Sequence, residues 1–210
     1  MKEYIIHGTQ IKNIIKILKD GYIDNNPKKK DITVLENKPS NQIFTQLIYK
    51  NILNQENQIV HWGTCAIVLD KQLLQDYPFY ATHIGGFSDK FENGKTNKNT
   101  IIYGDGKLTK NPNLNKLKNV INKTMKQKNL GGNIEFMHSH EILFNQKIPL
   151  DKYCILIMMK GKKKDYDQKI IDKLIKLSKE KNISIKFRDY KLIGKNEKPI
   201  NNFIDSIESN

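Results

Sequence analysis

The sequence predicts an α+β fold with a mixed or antiparallel β-sheet and a few flanking helices. Short apolar runs that are rich in isoleucine and aromatic residues are typical of strands. The clearest runs are residues 4–7, 62–69, 142–144 and 153–159. Other segments repeat their apolar residues at helical spacing. Because strands and helices do not alternate regularly along the chain, a doubly wound parallel sheet is not expected.

Three segments have the apolar spacing of a helix that is buried on one face. They are residues 11–18, 114–125 and 170–177, and a short terminal helix is expected at 199–207. Gly8 and Thr9 are expected to form the turn before the first helix, with Thr9 as its N-cap. Gly21 is the expected C-terminal stop of that helix.

The remaining segments with a strand or helix pattern are shorter. A strand is expected through Ile43 and Phe44, entered from residue 40, and two further strands at 101–103 and 183–187. Residues 70–76 are expected to form a short helix or a turn. A short helix is also predicted on four apolar residues that follow Phe44: Leu47, Ile48, Ile52 and Leu53.

Composition and length set limits on the class of protein. The chain has 210 residues, of which 38% are hydrophobic and 28% charged, as in a folded globular protein. That length suits one domain with a real core, or one domain plus an extension. No apolar run approaches the length of a membrane span, and we expect no secretory signal at the N-terminus. Cys65 and Cys154 lie in strand-like runs, which favours buried thiols and an intracellular, cytoplasmic protein.

The chain carries a formal net charge of +14. Such a charge indicates a polyanionic partner, and nucleic acid is a plausible one. Part of the lysine excess also fits the Lys-, Asn- and Ile-rich composition of proteins from AT-rich genomes. Arg188 is the only arginine, so base-specific readout of DNA is not indicated.

Glu141 stands at the head of a buried strand, where a carboxylate needs a partner or a function. His138, Ser139 and His140 precede it, and two histidines at this spacing share a face if the segment is extended. A zinc site with His61 or His83 is therefore one interpretation. The favoured interpretation is a polar loop without metal, since no H-E-x-x-H motif is present.

His7, Gly8 and Thr9 lie where the first strand meets the first helix. An imidazole in that position can hydrogen-bond a ribose hydroxyl, and glycine lets the backbone approach a flat ligand. The alternative is an ordinary turn glycine beside a surface histidine. Neither a nucleophile elbow nor a phosphate-binding loop motif occurs in the chain.

Together, His7-Gly8-Thr9, Phe44-Thr45 and the strand that begins at Glu141 resemble the ADP-ribosyltransferase superfamily, in particular its poly(ADP-ribose) polymerase-like branch. In that family a first strand ends in His-Gly-Ser/Thr, an aromatic strand follows roughly 35 residues later, and a late strand carries the catalytic glutamate. The resemblance implies a split β-sheet core with flanking helices. It would occupy residues 1–160, with a helix–strand extension at 161–210 packed on the same domain.

The resemblance also implies roles for individual residues. His7 and Glu141 would be the catalytic pair: His7 would bind the adenosine ribose of the co-substrate NAD, and Glu141 the nicotinamide ribose. Gly8 would hold the nicotinamide amide through its backbone, and Thr9 would belong to the same NAD-binding segment. The loop 126–140, with His138, Ser139 and His140, corresponds to the family's acceptor-recognition loop.

Two positions depart from the family pattern. Its central tyrosine is replaced by Ile43 or Phe44, and Tyr49 is the candidate for its nicotinamide-stacking tyrosine. Ser139 stands where toxin-like members carry Glu or Gln, so modification of arginine is not indicated, and His138 or His140 is the alternative acceptor base.

Three functions follow from these features. The first is an NAD-dependent ADP-ribosyltransferase that modifies a protein or nucleic-acid acceptor and releases nicotinamide. The second is a silent module on the same fold that binds nucleic acid or ADP-ribose. The third, ranked last, is a metal-dependent phosphoesterase that uses His138 and His140. We expect a monomer without a membrane partner and without bound metal.

Overall fold

The computed structural model describes residues 2–24, 43–49, 63–82, 101–103, 115, 118–119, 141–188 and 199–209. The strands are β1 (Glu3–Thr9), β2 (Tyr22–Ile23), β3 (Ile43–Tyr49), β4 (Cys65–Asp70), β5 (Tyr80–Thr82), β6 (Ile101–Tyr103), β7 (Glu141–Phe144), β8 (Ile148–Pro149), β9 (Cys154–Lys160) and β10 (Ser184–Arg188). The helices are α1 (Ile11–Asp20), α2 (Leu73–Asp76), α3 (Leu150–Tyr153), α4 (Gln168–Glu180) and α5 (Pro199–Glu208). None of the described helices has the length and apolar character needed to cross a membrane.

Eight of the described strands form one sheet in the order β10-β9-β4-β1-β3-β7-β5-β6. All neighbours in this sheet are antiparallel except β9 and β10, which are parallel and are joined through α4. β2 and β8 form a separate antiparallel pair. The predicted α+β class with a mixed sheet is therefore confirmed.

β1 lies at the centre of this sheet, and its sequence explains the position. Tyr4, Ile5 and Ile6 are all buried, so both faces of the strand are covered. A strand that is covered on both faces carries a continuous apolar run and not an alternating pattern. β4 has the same character, with every residue from Cys65 to Leu69 buried.

The first and third predicted helices are confirmed as α1 and α4. Ile14 and Leu18 are the fully buried residues of α1. Gly21 ends α1 with φ 80°, a left-handed conformation that glycine adopts without strain, and its N–H donates to the Ile17 carbonyl at 2.8 Å. The Asp167 carboxylate accepts from the Ile170 N–H at 3.1 Å and so caps the start of α4.

The C-terminal segment is tied to the same sheet. β10 pairs with β9 along its whole length, and α5, which confirms the predicted terminal helix, contacts β3. The Lys186 ammonium of β10 donates to the carbonyls of Ser206 at 3.2 Å and Ile207 at 3.4 Å. Arg188 donates to the Ser209 hydroxyl at 2.8 Å.

Two local predictions are wrong. Leu47 and Ile48 belong to β3 and not to a helix, because a buried strand and a buried helix both read as a continuous apolar run. Gly8 and Thr9 continue β1 through its pairing with β4, so the N-cap of α1 is Gln10. Of the predicted helix at 114–125, the structure describes only three residues, which are helical: Asn115, Lys118 and Asn119.

The thiols are free and separated within the sheet. Cys65 lies opposite Met159, and Cys154 lies opposite Leu69 at the other end of the β4–β9 pairing. Cys65 is buried as predicted, whereas Cys154 is half-buried. Burial raises the pKa of Cys65 to about 11 and that of Cys154 to about 12, so both remain protonated thiols at neutral pH.

Glu3 is a buried carboxylate at the start of the central strand. Its side chain forms ion pairs with the ammonium groups of Lys118 and, at 3.4 Å, Lys71. Burial by itself would raise the pKa of Glu3, but the hydrogen bonds and charges of the two lysines outweigh it and lower the pKa. The network holds the chain around Lys118 and the turn after β4 to the first residue of β1.

The two lysines are expected to contribute unequally to stability. Replacing Lys118 with Met leaves a buried Glu3 carboxylate with one partner, and we expect the free energy of unfolding to fall by about 1–3 kcal/mol. The same change at the more exposed Lys71 is expected to cost less than about 1 kcal/mol. Urea unfolding of the two variants and the parent at neutral pH measures both values.

The pH dependence provides the control for this prediction. The folded pKa of Glu3 is lowered, so its contribution is fully present above its ordinary pKa of 4.5 and is lost as pH falls through the lower folded value. The difference between the parent and Lys118→Met should therefore shrink in acid. An equal loss from both substitutions, or a difference that does not change with pH, contradicts the assignment.

Candidate functional site

Three neighbouring strands carry the residues that the sequence singled out. β3 lies between β1, which contains His7, and β7, which begins at Glu141. Thr45 of β3 pairs with Ile142 of β7, and the Thr45 hydroxyl donates to the Ile142 carbonyl at 2.8 Å. Since neighbouring strands lie about 4.8 Å apart, the backbones of β1 and β7 are about 10 Å apart.

β1 and β3 separate at the position of His7. Their backbone pairing runs from Glu3–Tyr49 to Ile6–Gln46 and ends there. β1 nevertheless continues to Thr9 in its pairing with β4, while Ile43 to Thr45 pair, among the described strands, only with β7. We call this place the β1–β3 divergence: residues 7–9 on one side and 43–45 on the other.

The His7 side chain bridges this divergence. Its Nδ1 lies 2.9 Å from the Phe44 carbonyl oxygen. A carbonyl oxygen can only accept, so Nδ1 carries the proton of this hydrogen bond. Burial lowers the pKa of His7 more than the bond to Phe44 raises it, which favours the neutral imidazole. Nε2 is then left as a hydrogen-bond acceptor, suited to a hydroxyl donor on a ligand.

Gly8 and Thr9 have structural partners in β4 and α1. Gly8 pairs with Ala66, and Thr9 pairs with Cys65. The Thr9 side chain is buried, and its hydroxyl accepts from the Asn13 side-chain amide at 3.1 Å. Thr9 therefore connects β1 to the first turn of α1, a role that the motif alone did not indicate.

Phe44 and Tyr49 lie at opposite ends of β3. Phe44, beside His7, is 36% exposed, which is unusual for a large apolar side chain. Tyr49 is buried opposite Glu3, and its hydroxyl donates to the Lys118 carbonyl at 3.4 Å. Burial raises the pKa of the Tyr49 hydroxyl above its ordinary value. Tyr49 lies five positions after Phe44, about 17 Å along the strand, so the structure does not bring Tyr49 to the site of His7.

Gly63 and Thr64 support the end of β1 and were not identified from the sequence. A Cβ atom on Gly63 would overlap the carbonyl of Thr9. The Thr64 hydroxyl accepts from the Ile11 N–H at 3.1 Å. An isolated glycine before a strand was the only available signal, and it does not reveal which distant backbone the glycine approaches.

The acceptor-loop candidates His138, Ser139 and His140 lie outside the described residues, as do His61 and His83. Glu141 is placed by its backbone as the first residue of β7, opposite Thr82 of β5. Within the described part of the chain, no cluster of three or more His, Cys, Asp or Glu side chains is arranged to hold a metal ion.

Comparison of the sequence with models of known protein families and with curated proteins gives no match. The geometry of β1, β3 and β7 therefore carries the functional argument.

Gly63→Ala is expected to disturb the end of β1. The new methyl group cannot fit against the Thr9 backbone, so either the loop before β4 or residues 7–9 must move. We expect a loss of about 1–3 kcal/mol in the free energy of unfolding, typical of overpacking. The measurement is thermal or urea unfolding. Gly161→Ala, where the new methyl meets only the Asp165 side chain, is the comparison glycine.

The Gly161 comparison has its own expected result. Gly161 has φ 86°, so alanine there is strained through the backbone. It should be destabilising without changing the NMR signals of His7, whereas Gly63→Ala should shift them. Unchanged His7 signals in a folded Gly63→Ala protein would contradict the contact.

The protonation of His7 makes a second prediction for this site. Its imidazole should be the neutral tautomer with hydrogen on Nδ1 and should titrate below the ordinary histidine pKa of about 6.5. As pH falls, the His7 imidazole of the unfolded chain is therefore protonated at a higher pH than that of the folded chain. The corresponding part of the stability is therefore fully present above about pH 6.5 and is lost as pH falls through the folded pKa.

Nitrogen-detected NMR across a pH series measures the tautomer and the midpoint together, and His7→Asn assigns the signals. Over the same pH range, the free energy of unfolding of the parent should fall in acid relative to that of His7→Asn. An Nε2–H tautomer, or a midpoint above 6.5, contradicts the proposed hydrogen bond.

Proposed function

We propose that this chain is an NAD-dependent ADP-ribosyltransferase, in which His7 and Glu141 bind and activate NAD and nicotinamide is released. One observation carries the proposal: β3 alone separates the strand of His7 from the strand of Glu141. These two positions are 134 residues apart in the chain, and the resemblance requires them to share one cleft. The β1–β3 divergence also fits the split sheet that the resemblance implies.

The chemistry of His7 supports a ribose contact. A neutral imidazole whose Nδ1 donates to the Phe44 carbonyl presents Nε2 as an acceptor. A ribose hydroxyl is a donor of the matching kind. Because the bond to Phe44 fixes both the tautomer and the ring orientation, the side chain is preorganised for such a contact.

Glu141 would supply the negative charge that the reaction needs. When the bond between nicotinamide and ribose breaks, positive charge develops on the ribose, and a fixed carboxylate stabilises that charge, as in glycosidases. The backbone separation of about 10 Å between β1 and β7 is shorter than an extended dinucleotide, so one NAD molecule can contact both strands. The acceptor then attacks the ribose carbon that nicotinamide leaves.

Phe44 and Tyr49 favour a second candidate, a binding module on the same fold without turnover. The family's second motif carries a tyrosine, and Phe44 lacks its hydroxyl. Tyr49, the candidate for the stacking ring, lies buried at the far end of β3. A protein that binds NAD or ADP-ribose but transfers nothing would match this second function.

Glu141→Gln is expected to reduce transfer of labelled ADP-ribose from NAD by at least about 100-fold, the usual cost of removing one stabilising group from a transition state. The assay offers protein, RNA and DNA acceptors and measures which becomes labelled. Glu180→Gln removes an equal charge from an exposed position on α4 and serves as the matched control.

The outcomes separate the two candidates. Binding of NAD by both variants with loss of transfer only in Glu141→Gln supports the enzyme. Transfer by Glu141→Gln at the rate of the Glu180→Gln control excludes it. NAD binding by a parent protein that labels none of the three acceptors identifies the binding module.

A further inference from the structure

Two packed helices carry a dense set of outward-facing lysines. α1 and α4 contact each other, and their apolar residues Ile14, Leu18, Ile171 and Leu174 are buried in the core. The lysines on the opposite sides of both helices are exposed. We call this surface the lysine face; it consists of Lys12, Lys16, Lys19, Lys169, Lys173, Lys176, Lys179 and Lys181.

The two rows of the lysine face are continuous with each other. Lys12, Lys16 and Lys19 are spaced i, i+4, i+7 and so share one side of α1, and Lys169, Lys173 and Lys176 repeat that spacing on α4. Lys181, at the end of α4, extends its side chain to Gly21 at the end of α1. Its Nζ lies 3.4 Å from the point that a Cβ atom on Gly21 would occupy.

Most lysines of this face form no ion pair with a described carboxylate. Lys2, Lys71, Lys118, Lys147 and Lys152 each form an ion pair with a carboxylate. On the lysine face, Lys16 pairs with Asp20 at 2.5 Å. The other seven form no ion pair with any carboxylate that the structure describes: Lys12, Lys19, Lys169, Lys173, Lys176, Lys179 and Lys181. Lysines without an ion pair also occur at and after the end of β9, at Lys160, Lys163 and Lys164. The lysine face differs from them in its regular spacing along two packed helices.

The dimensions fit a phosphate backbone. Seven residues of helix separate Lys12 from Lys19, which is about 10 Å along the axis. That length covers about three phosphates of one strand at about 3.4 Å each. α1 and α4 contact each other, and the axes of packed helices usually lie about 8–10 Å apart. Ammonium groups on long stems meet such regularly spaced phosphates as point charges.

A bilayer surface fits less well. Peripheral membrane helices insert an exposed apolar side between the lipids. Both α1 and α4 bury their apolar sides in the protein, and Ile170 is the large apolar residue that α4 exposes. The lysine face therefore offers charge without an apolar anchor.

We propose that the lysine face binds nucleic acid through its phosphates, without base-specific readout. Lysine contacts with phosphates position a protein but carry no sequence information, and Arg188 is engaged with Ser209. Lys12 lies five residues after His7, in the first turn of the helix that leaves the β1–β3 divergence. A nucleic acid on this face would therefore pass close to that divergence. The additional inference that this nucleic acid is the ADP-ribose acceptor rests on the proposed function.

The test compares pairs of substitutions that remove equal charge. Lys173→Gln with Lys176→Gln alters α4, and Lys12→Gln with Lys19→Gln alters α1. Lys2→Gln with Lys71→Gln is the control, since both of those lysines form ion pairs with carboxylates and neither belongs to α1 or α4. Glutamine retains helix propensity close to that of lysine, and circular dichroism checks that each variant is folded.

Fluorescence anisotropy with mixed-sequence single-stranded RNA and duplex DNA measures binding between about 50 mM and about 200 mM salt. Each pair on the lysine face should reduce the salt slope of log K by about 1–2 and weaken binding equally for unrelated sequences. The control pair should change the slope by less than half as much, because its charges make no phosphate contact.

Several results would overturn the proposal. They are no binding at the lowest salt, an equal effect of the control pair, or binding only to vesicles that contain anionic lipid. A labelled-NAD assay on the same samples separates the two ideas. Nucleic acid that binds through the lysine face but is never labelled leaves the surface established and refutes the acceptor role. Labelled protein with no nucleic-acid binding supports the proposed function and refutes nucleic-acid binding by the lysine face.

Discussion

The unequal pairing of β1 with its two neighbours is the constraint on which the candidate site depends. β1 pairs with β4 through Thr9 but with β3 only as far as Ile6. Had the β1–β3 pairing continued, Phe44 would have offered its carbonyl to a backbone N–H. Instead that carbonyl accepts from His7. Because β1 and β3 do not pair at residues 7–9, the Phe44 carbonyl is left to the imidazole, and this hydrogen bond sets the tautomer and the orientation of the ring.

Much of the fold could be predicted from local patterns, because burial imposes a period on the chain. α1 and α4 follow from apolar residues at helical spacing and from Gly21. β4 and β9 follow from short runs of β-branched and apolar residues. The same reasoning failed at Leu47 and Ile48 because a strand that is buried on both faces has no period to distinguish it from a short buried helix.

The candidate site was predictable only in part, because its geometry comes from long-range neighbours. The sequence identified His7 and Glu141 as residues of interest, but no local signal places β3 between their strands. Tyr49 could be chosen as an aromatic residue near the second motif, yet strand direction carries it to the opposite end of β3. Gly63 and Thr9 are in contact although they are 54 positions apart in the chain. No local pattern in either segment predicts that contact.

The contact between β10 and α5 bears on strand pairing at this edge of the sheet. Among the described strands, β10 is the last on its side of the sheet, and an unpaired strand edge is a template for another chain. Lys186 and Arg188 of that strand are fixed on the C-terminal end of α5, where the carbonyls of a helix lack partners and attract cations. Lys186 and Arg188 thus place two positive charges on this edge strand, and charged residues on an edge strand oppose the addition of a strand from a second molecule.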